Sequence, residues 1–126
     1  MQDSIFTKII KGEIPAHKIY EDNKTLAFLD IRPETPGHVL VIPKVQVDKF
    51  YDLSDEDYQV LFLAVKKIAA HMEQALGARV MSKIIGTEVP HAHVHLFPAD
   101  PTMTISELPQ ASDAELADMA KKLRMM

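Results

Sequence analysis

His91, His93 and His95 alternate with Ala92, Val94 and Leu96, so half of the chain's six histidines fall in one short run. Strict alternation is the period of a half-buried strand, and it predicts a strand over His91–Phe97. On such a strand the three imidazoles share one face and the three apolar residues press into the core on the other. Aligned imidazoles are unfavourable unless something uses them, because neighbours cannot all be protonated and each ring needs hydrogen-bond partners. With an ordinary pKa near 6.5, an imidazole is neutral and nucleophilic at about neutral pH. His93, in the middle, could attack phosphorus or serve as a base. Its neighbours could donate hydrogen bonds to an oxyanion. The same spacing also suits a three-histidine zinc site, with Glu88 and Asp100 as the nearest acids. Spacing alone leaves catalysis, metal binding and an incidental structural cluster open.

The residues around this run are the ones that must position it. His38 follows Pro36-Gly37 and opens the apolar run Val39-Leu40-Val41-Ile42, which reads as a central strand over 38–42 ended by Pro43. Asp30 closes the strand Thr25–Leu29, where a carboxylate caps a turn or accepts hydrogen bonds from a ribose diol. Thr25–Leu29 pairs with His17–Glu21 across Asp22-Asn23-Lys24 as a hairpin. Phe6, Ile9, Ile14 and Phe28 read most simply as core. His17 and His71 belong to no visible constellation. No glycine-rich phosphate loop is present.

Helix signals complete the order. Ser4–Lys11 is a short helix with Asp3 or Ser4 as N-cap and Gly12 as its stop. The longest helix starts at the capping-box-like Ser54-Asp55-Glu56-Asp57. It carries Val60, Leu61, Ala64, Val65, Ile68, Ala69, Met72 and Leu76 at helical spacing and ends at Gly77. Arg79–Ile85 reads as a strand and Gly86–Pro90 as a turn. The stretch 100–110, with Pro101 and Pro109, reads as irregular. Ser112 and Glu115 open a last amphipathic helix with the stripe Leu116, Met119, Ala120 and Leu123. The order αββ–β–α–ββ–α predicts one α+β domain over residues 1–126, with a mainly antiparallel sheet of about five strands and helices packed on it.

Composition narrows the function classes. The chain has 126 residues, 47% of them hydrophobic and 25% charged, with a formal net charge of −4. Lys and Arg are scattered or sit on helix faces, which argues against polymeric nucleic acid. No apolar run reaches the roughly 20 residues needed to cross a bilayer, so no membrane partner is expected. The N-terminal Met1-Gln2-Asp3-Ser4 lacks the basic and apolar regions of a signal peptide. There is no cysteine, which rules out disulfides and thiolate zinc sites and makes the cytoplasm the expected location.

Four blocks in order resemble the histidine-triad (HIT) family, in its Hint-like branch. They are Ile5-Phe6-Thr7-Lys8-Ile9-Ile10-Lys11-Gly12-Glu13-Ile14-Pro15-Ala16; Tyr20-Glu21-Asp22 with Leu26-Ala27-Phe28-Leu29-Asp30-Ile31-Arg32-Pro33; Pro36-Gly37-His38-Val39-Leu40-Val41-Ile42-Pro43-Lys44; and the triad run itself. The likeness covers about residues 4–98 and leaves 99–126 as a divergent C-terminal segment. It implies a nucleotide hydrolase or transferase that needs no metal or other cofactor and cleaves a purine nucleoside 5′-monophosphate from a small leaving group, of the phosphoramidate or acyl-nucleotide type. Dinucleoside polyphosphate hydrolysis is the alternative substrate class, and a nucleotide-binding module with little turnover the alternative function. By the same resemblance His93 would form a nucleotidyl-histidine intermediate. His95 would contact the α-phosphate, His38 would line the same pocket, and His91 would orient its neighbours. Asp30 would bind the ribose. Phe6, Ile9, Ile14, Phe28 and Ile31 would hold the base. Thr87, where the family commonly has Gln, would offer a hydroxyl to phosphate. Glu88 stands where the branch often has Ser. A homodimer is implied too, joining the long helix and the strand 79–85 to their mates and so extending the sheet.

Overall fold

A computed structural model of the chain describes residues 2–100 and 109–125; residues 101–108, within the stretch read as irregular, lie outside them. The order is α1 (Ile5–Ile10), β1 (Lys18–Glu21), β2 (Thr25–Leu29), β3 (Val39–Pro43), α2 (Asp55–Leu76), β4 (Val80–Lys83), β5 (Val94–Pro98) and α3 (Asp113–Leu123), with a short 3₁₀ turn at Phe50–Asp52. The strands form one antiparallel sheet ordered β1-β2-β3-β5-β4. Hence β2, β3 and β5 are interior strands, while β1 and β4 are the edges. The predicted α+β class and strand number hold.

Each face of the sheet has its own cover. Leu61, Ala64, Ile68 and Met72 recur at three- and four-residue steps along α2 and are all buried. They pack on Ala27, Val39, Val41, Val94 and Leu96, which project from one face. Burying each large side chain of this stripe contributes roughly 1.5–3 kcal/mol. Ser54 caps the start of α2 by accepting the N–H of Asp57, and Gly77 ends it in a left-handed conformation that favours glycine. The other face presents Leu26, Phe28, Leu40 and Ile42, covered by Phe6 and Ile9 of α1.

The triad strand begins later than the alternation predicts. β5 starts at Val94, not His91, and Val41↔Val94 is the last rung it shares with β3. Before that, the chain swings to the loop after β3, where the Ala92 N–H donates to the Val47 carbonyl at 2.7 Å. The Pro43 carbonyl accepts from the His91 ring at 2.8 Å rather than from a strand N–H. The alternation survives the loss of strand geometry. Ala92, Val94 and Leu96 all join the α2 side of the core, while His91, His93 and His95 are buried at 0%, 2% and 5% exposure. Other ends shift slightly: β3 runs through Pro43, β1 starts at Lys18, and β4 covers only Val80–Lys83 of the predicted 79–85.

α3 forms where the capping signals put it, with the reciprocal Ser112–Glu115 box present. Among the described residues its stripe is left open, with Leu116, Met119 and Leu123 exposed at 58%, 50% and 69%.

Candidate active site

Four histidines meet on the α1 face of the sheet, and their hydrogen bonds fix which nitrogen of each carries the proton. His38 Nδ1 accepts the backbone N–H of Glu34 at 3.0 Å. Its proton is therefore on Nε2, which donates to His95 Nδ1 at 2.9 Å. His95 must then carry its own proton on Nε2, a buried atom with no partner among the described residues. His93 Nδ1 donates to the His91 carbonyl at 2.7 Å, which leaves Nε2 with a lone pair. His91 Nε2 donates to the Pro43 carbonyl, and its Nδ1 accepts the Ser4 hydroxyl at 2.8 Å. The cluster thus presents one nucleophilic nitrogen, on His93, and one unsatisfied donor, on His95.

A relay behind His91 ties this arrangement to the N-terminus. Ser4 Oγ also accepts the Thr7 N–H as the cap of α1. The Thr7 hydroxyl donates to Gln46 Oε1 at 2.6 Å, and the same oxygen accepts the Ser4 N–H at 2.8 Å. Gln46 in turn lies in the loop after β3. Ser4, Thr7, Gln46 and the Pro43 carbonyl were not expected at the site, since nothing in their spacing marks contacts across 39 to 87 residues.

Charge on His95 and His91 is suppressed. Burial pushes His95 down from 6.5 to about 4, helped by the positive fields of His93, His38 and Lys83 and opposed by Glu88. Burial also lowers His91, and the His93 field adds to this against the bond to Pro43. A neutral His95 keeps its single Nε2 proton for hydrogen bonding across the physiological range.

Beside the histidines lies a cavity of about 350 Å³, lined by Phe6, Ile9, Ile14, Phe28, Asp30 and Ile31 together with His93 and His95. Every residue expected to hold the base or ribose is therefore brought to one place. Phe6 lines the cavity beside His93, with its ring edge-on to His93 at 5.0 Å and to Phe28 at 5.7 Å. Besides the histidines, the polar residues in the wall are Asp30, Arg32 and Glu88. Asp30 Oδ1 accepts the Arg32 N–H at 2.9 Å, and Asp30 Oδ2 is 3.6 Å from His38 Nε2. Phe6, Ile9 and Phe28 are core and wall at once, so the two readings of these residues do not compete.

Thr87 is not in that cavity. It lines a second recess with Lys49, Tyr51 and Gly86, which His93 also borders. Glu88 does face the site. It lines the first cavity and an adjoining one of about 400 Å³ that holds Asp30, Arg32, Glu34, His38, Lys83 and His95.

Among the described residues, two groups have the proximity of metal ligands, with donor atoms within 4.8 Å of one another: Asp30–His38–His95 and Glu88–His93–His95. The proton positions oppose both. His95 has its Nδ1 lone pair filled by His38 and its Nε2 occupied by a proton, so it has no lone pair to give. Retautomerising it would turn His38 Nδ1 into a donor facing the Glu34 N–H donor.

The HIT domain model matches residues 11–102. "Protein hit" of Bacillus subtilis is 41% identical over 103 residues, covering 77% of this chain and 71% of that protein. The adenosine 5'-monophosphoramidase hnt1 of Schizosaccharomyces pombe is 42% identical over 96 residues, covering 75% and 72%. Among solved structures, a member of the HIT family from Bacillus subtilis superposes with a TM-score of 0.85 at 31% identity, covering 97% of this chain and 95% of that one. A histidine triad nucleotide-binding protein from Candida albicans gives 0.76 at 30% identity, covering 96% and 94%.

Proposed function

This chain belongs to the HIT family, and we propose that it is a nucleotide hydrolase or transferase releasing a purine nucleoside 5′-monophosphate from an amine or acyl group through a nucleotidyl-histidine intermediate. The observation that carries this reading is the lone pair on His93 Nε2, fixed by the Nδ1 bond to the His91 carbonyl, at the wall of an apolar cavity. A purine fits between Phe6, Ile9, Ile14, Phe28 and Ile31, and Asp30 accepts hydrogen bonds from the ribose hydroxyls. The α-phosphorus then lies against His93. Nε2 attacks, the bond to the leaving group breaks, and the His95 Nε2–H stabilises the charge gathering on a phosphate oxygen. His38 holds His95 in that tautomer. The similarity to an adenosine 5'-monophosphoramidase supports the amine class.

The adjoining cavity favours an amine over a second nucleotide. It carries the acids Asp30, Glu34 and Glu88 against Arg32 and Lys83, and Lys83 is already paired with Glu34. A polyphosphate tail would meet unpaired carboxylates there, whereas a protonatable amine meets complementary charge. Dinucleoside polyphosphates are accordingly the second choice.

The test is AMP release from adenosine 5′-phosphoramidate, with intact-protein mass spectrometry after a rapid, acid-free quench. Wild type should show a transient gain of one nucleotidyl group, and His93→Ala should lose both adduct and turnover by about 10³-fold or more. AMP binding that is lost in Asp30→Ala, without adduct or hydrolysis in wild type, would instead make the protein a nucleotide-binding module.

A further inference from the structure

The nucleotidyl-histidine must be opened by water, and no histidine of the cluster is free to activate it. His91 and His38 have both nitrogens engaged, His95 offers only a donor, and His93 Nε2 is the atom bonded to phosphorus. Asp30 already accepts the Arg32 N–H and stands beside His38. Glu88 remains. One carboxylate oxygen of Glu88, a ring nitrogen of His93 and one of His95 lie within 4.8 Å of one another. Glu88 is exposed, and no hydrogen bond or ion pair ties it to another described residue. It also borders both the cavity assigned to the nucleotide and the one assigned to the leaving group. Water must enter opposite the P–N bond, along the path the leaving group vacates. A base at the junction of those two cavities is within one water molecule of that path.

We propose that Glu88 is the general base of the second half-reaction, a role that rests on the histidine-nucleophile reading above. Its carboxylate takes a proton from the water while the water oxygen bonds to phosphorus. The P–Nε2 bond breaks and its electron pair returns to His93 as the lone pair. The proton on Glu88 passes to solvent when the nucleotide leaves. A carboxylate near a phosphate is repulsive in the ground state; a base that gains a proton during the step relieves that repulsion as the transition state is reached. This gives the residue a use where it otherwise looks misplaced.

Glu88→Gln keeps the side chain's shape at an exposed position, and a melting curve and AMP binding check that the variant is folded. The experiment uses the full chain with adenosine 5′-phosphoramidate in single-turnover mode, reading adduct formation and adduct decay separately. Adduct formation should proceed in Glu88→Gln while its decay slows by roughly 10²-fold or more. Hydroxylamine, which needs no base to attack phosphorus, should restore decay. Decay at the wild-type rate in Glu88→Gln overturns the assignment. So does a variant that forms no adduct when wild type does, because Glu88 would then act in the first step. Absence of adduct and AMP in wild type itself would bring down the underlying reading, and this one with it.

Discussion

At the residue scale the site is a set of rings whose hydrogen-bonding protons are assigned by their neighbours. Each bond excludes an alternative: the Glu34 N–H forbids a proton on His38 Nδ1, and the His91 carbonyl demands one on His93 Nδ1. Adding a proton to His95 Nδ1 therefore disrupts more than one bond. This has a measurable consequence for stability. His95 falls from 6.5 to about 4 in the folded protein, so between those values the unfolded chain binds the extra proton and the folded chain does not. Stability from this group is complete above about pH 6.5 and is lost as pH falls through about 4, in total on the order of 3 kcal/mol. The lowered His91 acts in the same direction. Urea midpoints should drop between about pH 7 and pH 4.5 in wild type and drop less in His95→Asn; equal midpoints for wild type at the two pH values would contradict the assignment. That the histidines gather at one place was readable from their alternation and the flanking blocks. Their tautomers were not, because these depend on Glu34, Pro43, Ser4 and Gln46, which come from loops and a helix cap far away in the chain.

At the element scale, among the described residues, patterning and turn signals located every α-helix and strand but not the 3₁₀ turn at Phe50–Asp52, and the remaining errors fell at the ends, where a single backbone partner decides. The triad run shows why. Its side-chain alternation is real, yet a strand needs a partner's backbone, and β3 stops supplying one above Val41 because the next segments turn to Val47 and Pro43. Alternation reports which face a residue occupies, not whether its N–H meets a ladder. Gly37, at the entry to β3, tests how tightly an element end controls the site. Its φ of +97° lies where side chains are strained, and an added Cβ would sit 2.8 Å from Leu76 Cδ1. Leu76 is half exposed and can swing aside, so the backbone strain dominates, at about 1–2 kcal/mol. Gly37→Ala should lower the melting temperature by that equivalent. It should also reduce turnover, since His38 is the next residue and must still reach His95. Unchanged melting and activity would show that the turn relaxes without moving β3.

At the scale of the whole molecule, the sheet divides two unequal interiors. The α2 side is closed by a helix of 22 residues. The α1 side is covered by a helix of only six, and its remaining wall is the cavity. Sequence identified Phe6, Ile9 and Phe28 as buried, but the space left beside them could not be read, since a pocket wall and a core position have the same residue types. If AMP fills that space, ligand at about 100 times its dissociation constant should add about 2.7 kcal/mol of stability, and Asp30→Ala should remove most of the gain. A calorimetric or dye-based melting scan checks this without any knowledge of the substrate. The half-covered face thus makes the protein a thermometer for its own ligand. Compounds that complete the missing interior will announce themselves as heat resistance, and a library of nucleosides and nucleotides can be ranked by temperature alone before a single reaction is found.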